Sequence, residues 1–152
     1  MTGNAAADQA LLLDNQLCFL VYRLHRGITD LYRPVLQSLG LTYPQYLVML
    51  VLWEEDGLSV HRIGERLSLD SGTLSPLLKR LETAGLIARA RSSVDERSVE
   101  ISLTGAGGAL RERAREVPKV IGQCLAGSVD EYVDVRALLT RLVGRVDSAV
   151  PA

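Results

Sequence analysis

A mainly α-helical fold carrying one small β-wing is what this sequence predicts, on three observations. Aromatic residues are only 5% of the 152 while hydrophobic side chains reach 47%, so the core must be built from Leu and Val. Apolar residues recur at three- and four-residue steps toward both ends of the chain. Between those ends lie short segments punctuated by Ser, Asp and Gly, then two alternating runs around a polar tip.

Residues 1–9 are small and polar and make a frayed start. From Leu11 to Leu39 the positions Leu13, Leu17, Leu20, Val21, Leu24, Ile28 and Leu31 mark an amphipathic helix with a broad buried face, and Gly40 caps its end. Thr42-Tyr43-Pro44-Gln45 opens a second helix. Thr42 caps it, Gln45 reaches back as in a capping box, and Pro44 is tolerated in a first turn whose N–H groups lack partners. The run Leu47–Trp53 is almost entirely apolar, which buries this helix on most sides until Gly57 ends it.

Ser59 caps a short helix from Val60 to Leu67, and Ser68-Leu69-Asp70 turns the chain. A further helix runs from Ser71 to Ala84 and stops at Gly85. Two short helices across a tight turn make a helix-turn-helix. Pro76 within the second leaves the Gly72 carbonyl unpaired, which only an early or solvated position tolerates. Leu86–Arg91 and Ser98–Leu103 alternate like strands, with Ser92–Arg97 as the hairpin tip. Thr104 then caps one long helix through Leu110, Ala114, Val117, Ile121 and Leu125, bent at Pro118. Ser128-Val129-Asp130-Glu131 opens a last helix to about Val146.

The result is a single winged helix-turn-helix domain over residues 1–152, with 58–103 as helix-turn-helix and wing. The long apolar faces at 11–39 and 104–147 exceed what so small a module covers, so a second copy is expected to bury them. A symmetric homodimer would present two recognition helices to a palindromic duplex site.

Charge and targeting narrow the field. No segment approaches the ~20 apolar residues of a membrane span, and Met1–Asp8 lacks the basic region and apolar core of a signal peptide, so the cytoplasm is expected. Net charge is −1, which is no nucleic-acid signature by itself. Locally, however, Lys79, Arg80, Arg89, Arg91 and Arg97 outnumber Glu82, Asp95 and Glu96. Ser71, Thr73 and Ser75 stand at the N-terminal end of the second short helix, where hydroxyls can reach bases or phosphates. Lys79 and Arg80 follow one turn on, fit for a phosphate and a guanine. The same residues also suit an ordinary solvated helix with capping hydroxyls.

Cys18 and Cys124 have neither disulfide-framework nor zinc spacing and begin as free thiols. Cys18 sits on an apolar helix pattern, as a small packed residue would. It also has Tyr22 one turn on and Phe19, Leu17 and Val21 beside it, the makings of an apolar pocket with a phenolic donor. His25 continues that face with no second ligand at metal spacing, so neither metal nor cofactor is expected. Gly105-Ala106-Gly107-Gly108 lacks the strand and lysine of a phosphate loop.

Several stretches together resemble the MarR family of winged-helix regulators, and within it the organic hydroperoxide-sensing (OhrR) branch. They are Leu17-Cys18-Phe19-Leu20, Leu41-Thr42-Tyr43-Pro44-Gln45-Tyr46, Leu69-Asp70-Ser71-Gly72-Thr73-Leu74, Leu78-Lys79-Arg80-Leu81 and Asp95-Glu96-Arg97-Ser98-Val99. The likeness covers roughly residues 11–145; the Asp95-Glu96-Arg97 tip belongs to the wider family, while Cys18 with Tyr43–Tyr46 selects the branch. That branch also carries a proline at the position of Pro76.

The resemblance implies a transcriptional repressor rather than an enzyme. Reduced, the dimer binds operator DNA; organic hydroperoxide oxidises Cys18 and releases it. It further implies that Arg97 enters the minor groove with Asp95 holding its guanidinium. Tyr32 and Tyr43 would reach the cysteine from the partner subunit, and Cys124 would resolve the sulfenic acid as the partner's second thiol. Two other readings stay open: a regulator answering a small phenolic or apolar ligand, with Cys18 merely structural, and a thiol peroxidase using both cysteines.

Overall fold

The computed structural model describes residues 8–91 and 99–150. Its elements are α1 (Leu17–Gln37), α2 (Tyr43–Glu54), β1 (Leu58–Ser59), α3 (Val60–Leu67), α4 (Ser71–Thr83), β2 (Ile87–Arg91), β3 (Val99–Leu103), α5 (Gly105–Ala114), α6 (Val117–Leu125) and α7 (Val129–Ala149). The chain forms two compact units, one reaching Arg111 and one from Glu112 onward.

In the first unit, α1 begins at Leu17 rather than Leu11, after a 3₁₀ turn over Leu13–Asn15. Side-chain amides explain the delay. Asn15 Nδ2 donates to the Gln9 carbonyl at 2.8 Å and Gln16 Nε2 to those of Ala10 and Leu12, taking acceptors that helical N–H groups would otherwise use. Pro34 lies inside α1, which the periodicity had not marked as a site of interruption. The helix closes on Gly40, whose φ of +69° suits a residue without a Cβ. The Leu41 N–H returns to the Leu36 carbonyl at 3.2 Å and the Gly40 N–H to Gln37 at 3.1 Å, a Schellman closure.

Helix α2 is the centre of the core. Tyr46, Val48, Met49, Val51, Leu52 and Trp53 are buried, as the apolar run requires. At its start Gln45 Oε1 accepts from the Thr42 N–H at 2.8 Å and from the Thr42 hydroxyl at 3.1 Å. Around it pack Leu36, Ile63, Leu74, Leu78, Leu81, Ile87 and Ile101, each almost fully buried.

Strand order is β1-β3-β2, all antiparallel. The two-residue strand β1 was not legible from alternation; Leu58 pairs with Ile101 and Ser59 with Glu100. On the other side Ile87 faces Leu103, Arg89 faces Ile101 and Arg91 faces Val99. The hairpin tip, with Asp95 and Arg97, lies outside the described residues. The Leu103 N–H is taken by Asp56 Oδ1 at 2.8 Å. Thr104 then leaves the sheet and starts α5: its Oγ1 accepts from the Gly107 N–H at 3.0 Å and donates to the Gly85 carbonyl at 2.6 Å.

The expected single helix from Thr104 to Leu125 is two helices instead. Pro118 does not bend a continuous helix; it stands in the first turn of α6, where a missing N–H costs no intrahelical bond. In the second unit α7 runs about six turns from a capped start: the Ser128 hydroxyl accepts from the Glu131 N–H at 3.1 Å, and Glu131 Oε2 accepts from the Gly127 N–H at 2.6 Å. The helix runs to Ala149, slightly beyond the expected Val146.

The terminal helices leave much apolar surface open in the single chain. On α1, Leu17, Leu20, Val21 and Leu24 are exposed and only Leu36 is buried, so the broad buried face read from the periodicity is not covered by this chain. On α7, Val133, Leu138, Val143 and Val146 are likewise exposed.

Candidate functional site

The helix-turn-helix is built by its caps. Ser59 Oγ accepts from the Arg62 N–H at 3.1 Å to start α3. Ser68 turns the chain with φ +53°, and Gly64 is required beneath it because a Cβ there would lie 2.8 Å from the Leu69 carbonyl oxygen. Helix α4 then starts from Asp70, a cap that the reading of Ser71, Thr73 and Ser75 as open hydroxyls had overlooked. Asp70 Oδ1 accepts from the Thr73 N–H at 2.8 Å and Oδ2 from the Thr73 hydroxyl at 2.9 Å. These bonds hold the exposed Asp70 carboxyl below its ordinary value, the Thr73 backbone bond contributing most. The signal was present in the sequence: an Asp directly before a helix is a preferred N-cap.

Thr73 is therefore committed locally, and Ser75 donates its hydroxyl to the Ser71 carbonyl at 2.7 Å. Ser71, Lys79 and Arg80 are exposed on the same helix, whose buried side is Leu74, Leu78 and Leu81. Arg91 is exposed at the end of β2. Among the described residues no acid pairs with Lys79, Arg80 or Arg91. Arg89 differs: its Nε lies 3.2 Å from Glu82 Oε2 on α4, and an Nη donates to the Ser75 carbonyl at 3.4 Å.

The residues expected around the reactive thiol fall into two places. Cys18 is exposed near the start of α1, beside Phe19 and Tyr22, whose ring centroids are 6.5 Å apart. Arg23 covers the Phe19 ring and Arg26 the Tyr22 ring, each with the guanidinium carbon 5.8 Å from the centroid. Tyr32 and Tyr43 meet elsewhere, with centroids 4.5 Å apart, and Tyr46 continues the stack at 5.9 Å from Tyr32. Burial raises the phenols of Tyr43 and Tyr46 above their ordinary value, so both remain protonated donors at neutral pH. From Cys18 to Tyr32 the chain climbs roughly 20 Å of helix. One chain does not bring the thiol to the half-buried Tyr32 phenol.

Beside Tyr43 opens a cleft of about 530 Å³, lined by Thr29, Arg33, Gln37, Leu41, Thr42 and Pro44. Cys124, near the end of α6, is exposed in its own unit. Among the described residues no three His, Cys, Asp or Glu side chains gather as a metal site, and no helix is long and apolar enough to cross a membrane.

A capped helix pair backed by a three-stranded sheet defines a winged-helix module of the transcription-regulator class. Comparison with known proteins narrows this. Residues 30–113 match the family model described as transcriptional regulator SarA/Rot. The organic hydroperoxide resistance transcriptional regulator of Bacillus subtilis is 56% identical over 109 residues, spanning 72% of this chain and 74% of that protein. Among solved structures, reduced AbfR bound to DNA superposes with a TM-score of 0.81 at 35% identity, over 99% of this chain and 100% of that one. Disulfide-formed AbfR gives a TM-score of 0.64 at 36% identity, covering 97% and 98%; AbfR comes from Staphylococcus epidermidis. The chain belongs to the SarA/Rot/MarR-type winged-helix transcriptional regulators, and these relatives are regulators, not enzymes.

Proposed function

We propose that this chain is a cytoplasmic, dimeric, redox-sensing repressor whose reduced form binds a palindromic operator. The observation that carries the reading is the placement of Cys18: exposed on an uncovered apolar helix face, yet roughly 20 Å of helix from the Tyr32–Tyr43 pair of its own chain. A thiol completed by a second subunit's phenols accounts for both facts, and burying the α1 and α7 faces in a dimer accounts for a third. The identity with the organic hydroperoxide regulator supports the oxidant class, and AbfR's reduced, DNA-bound and disulfide forms support the redox logic.

The chemistry balances without a cofactor. The Cys18 thiolate attacks the outer oxygen of an organic hydroperoxide; the O–O bond breaks, and an alcohol leaves after taking a proton. The resulting sulfenic acid condenses with the partner subunit's Cys124, forming an S–S bond and releasing water. Their Cα atoms must come within ~7 Å, and that approach is the switch that displaces the recognition helices. Ser71, Lys79, Arg80, Arg91 and Arg97 are the proposed DNA contacts, with Asp95 bracing Arg97.

The decisive experiment follows duplex binding by wild type, Cys18→Ser and Cys124→Ser before and after stoichiometric organic hydroperoxide. Release of wild type with retention of Cys18→Ser is expected. If Cys18→Ser lets go as wild type does, the thiol is not the sensor. Ligand-dependent release surviving that substitution would instead favour small-molecule control through the cleft beside Tyr43.

A further inference from the structure

Arg89 looks like one more cation of a DNA-contacting wing, but its contacts point inward. It stands opposite Ile101, which is fully buried, on the sheet face of the buried Ile87; Arg91 shares that face at the strand's end, and what sets Arg89 apart is its contacts with α4. There the guanidinium spans α4: it pairs with Glu82 at 3.2 Å near the C-terminal end and bonds the Ser75 carbonyl at 3.4 Å nearer the start. The residues Ser75 and Glu82 are about two turns apart along α4, and the Glu82 side chain reaches back so that one guanidinium meets both acceptors. The pair is also more sheltered than the other ion pairs of the helix surfaces, with side-chain exposures of 30% for Arg89 and 43% for Glu82. A planar five-donor fork suits a brace between two fixed acceptors.

We propose that Arg89 is a positioning residue: a strut that sets the pitch of the β2–β3 wing against the recognition helix α4, with Glu82 as its seat, and not a phosphate ligand. Its charge is already answered by Glu82, whereas Lys79, Arg80 and Arg91 pair with no acid among the described residues. The strut acts on DNA binding through geometry. This consequence rests on the DNA-binding reading above; the brace itself does not.

The test uses full-length reduced protein and a duplex selected by wild type from a randomised library, with affinity followed against KCl concentration. Arg89→Ala and Glu82→Ala should each weaken binding by about threefold to tenfold, and the double variant no more than the worse single. Each should leave the slope of log affinity against log salt unchanged. Arg91→Ala, removing a proposed phosphate contact, should flatten that slope by about 0.9. The exchanged pair Glu82→Arg with Arg89→Glu should return affinity to within about threefold of wild type.

Flattening of the slope by Arg89→Ala, unaltered or tighter binding by Glu82→Ala, or failure of the exchanged pair would each overturn the proposal. A parallel readout needs no DNA. Hydrogen exchange at the β2 amides should quicken in both single variants, stay unchanged in Arg91→Ala and recover in the exchanged pair. If wild type selects no duplex, the DNA-binding reading fails, while the exchange data still decide whether Arg89 braces the wing.

Discussion

The Trp53 indole N–H donates a 2.9 Å hydrogen bond to the carbonyl of Gly107, fastening the core helix α2 to the start of α5. Both partners are buried, so the bond is shielded from water. Trp53→Phe should cost about 0.5–1.5 kcal/mol by removing this buried hydrogen bond, the Gly107 carbonyl keeping its place in the α5 ladder. Gly107→Ala should cost at least as much, because a Cβ there would lie 2.0 Å from the Leu86 carbonyl oxygen, a backbone atom that cannot step aside. Urea denaturation of both variants measures this.

Asp70 supplies a pH dependence with a definite sign. Its carboxyl is held below the ordinary 3.8 by the Thr73 bonds, so the cap's contribution is present above that value and disappears as acid protonates it. Asp70→Ala should therefore lower the melting temperature at neutral pH. The gap between variant and wild type should close as pH falls below about 4. Thermal scans across pH 2.5–7 would reveal it, and a gap that persists in acid would contradict the account.

A sensor site shared between two subunits, as proposed, makes a complementation prediction. Tyr43→Phe removes a protonated donor, and losing a hydrogen bond to a charged sulfur should slow Cys18 oxidation about tenfold or more. Mixed dimers of Tyr43→Phe with Cys18→Ser subunits contain one intact thiol–phenol pairing. They should oxidise at about the wild-type rate per complete site, followed by mass spectrometric loss of free thiol. No recovery on mixing would place thiol and phenol in one chain's reach.

Charges planted on the open apolar faces should separate subunits. Leu20→Glu on α1 or Val143→Glu on α7 should weaken self-association by about thirtyfold or more, the scale of losing one central interface anchor. Sedimentation equilibrium reads this directly. Helical content should stay unchanged, since Leu20 and Val143 are 52% and 58% exposed in the single chain.

Much of this was legible before any coordinates. Caps and turns are local chemistry: Ser59, Gly40, Gln45, Thr104 and Ser128 act within a few residues of themselves, and each does what its type and position imply. What escaped depended on distant or competing partners. Strand β1 has two residues, too few to alternate, and exists only because β3 offers it an edge. The helix end after Ala114 lies before Pro118, so proline marked a beginning where a bend was expected. Asp70 was read as a turn residue although the helix it caps was found. Arg89 sits among the wing cations in sequence, and only its distant partners, Glu82 and the Ser75 carbonyl, set it apart from Arg91 on the same strand face. For the thiol, sequence proximity assembled Cys18, Phe19 and Tyr22; Tyr32 and Tyr43 came from resemblance, and their distance along α1 is what the structure adds.

The strand order has one more consequence, for how these molecules behave in a crowd. With β3 enclosed, the sheet's free edges are β1, of two residues, and β2, of five with Arg at alternate positions. A stub and a charged ribbon are poor templates for strand addition. Copies brought close together would thus find little to pair with along the described strand edges, β1 and β2.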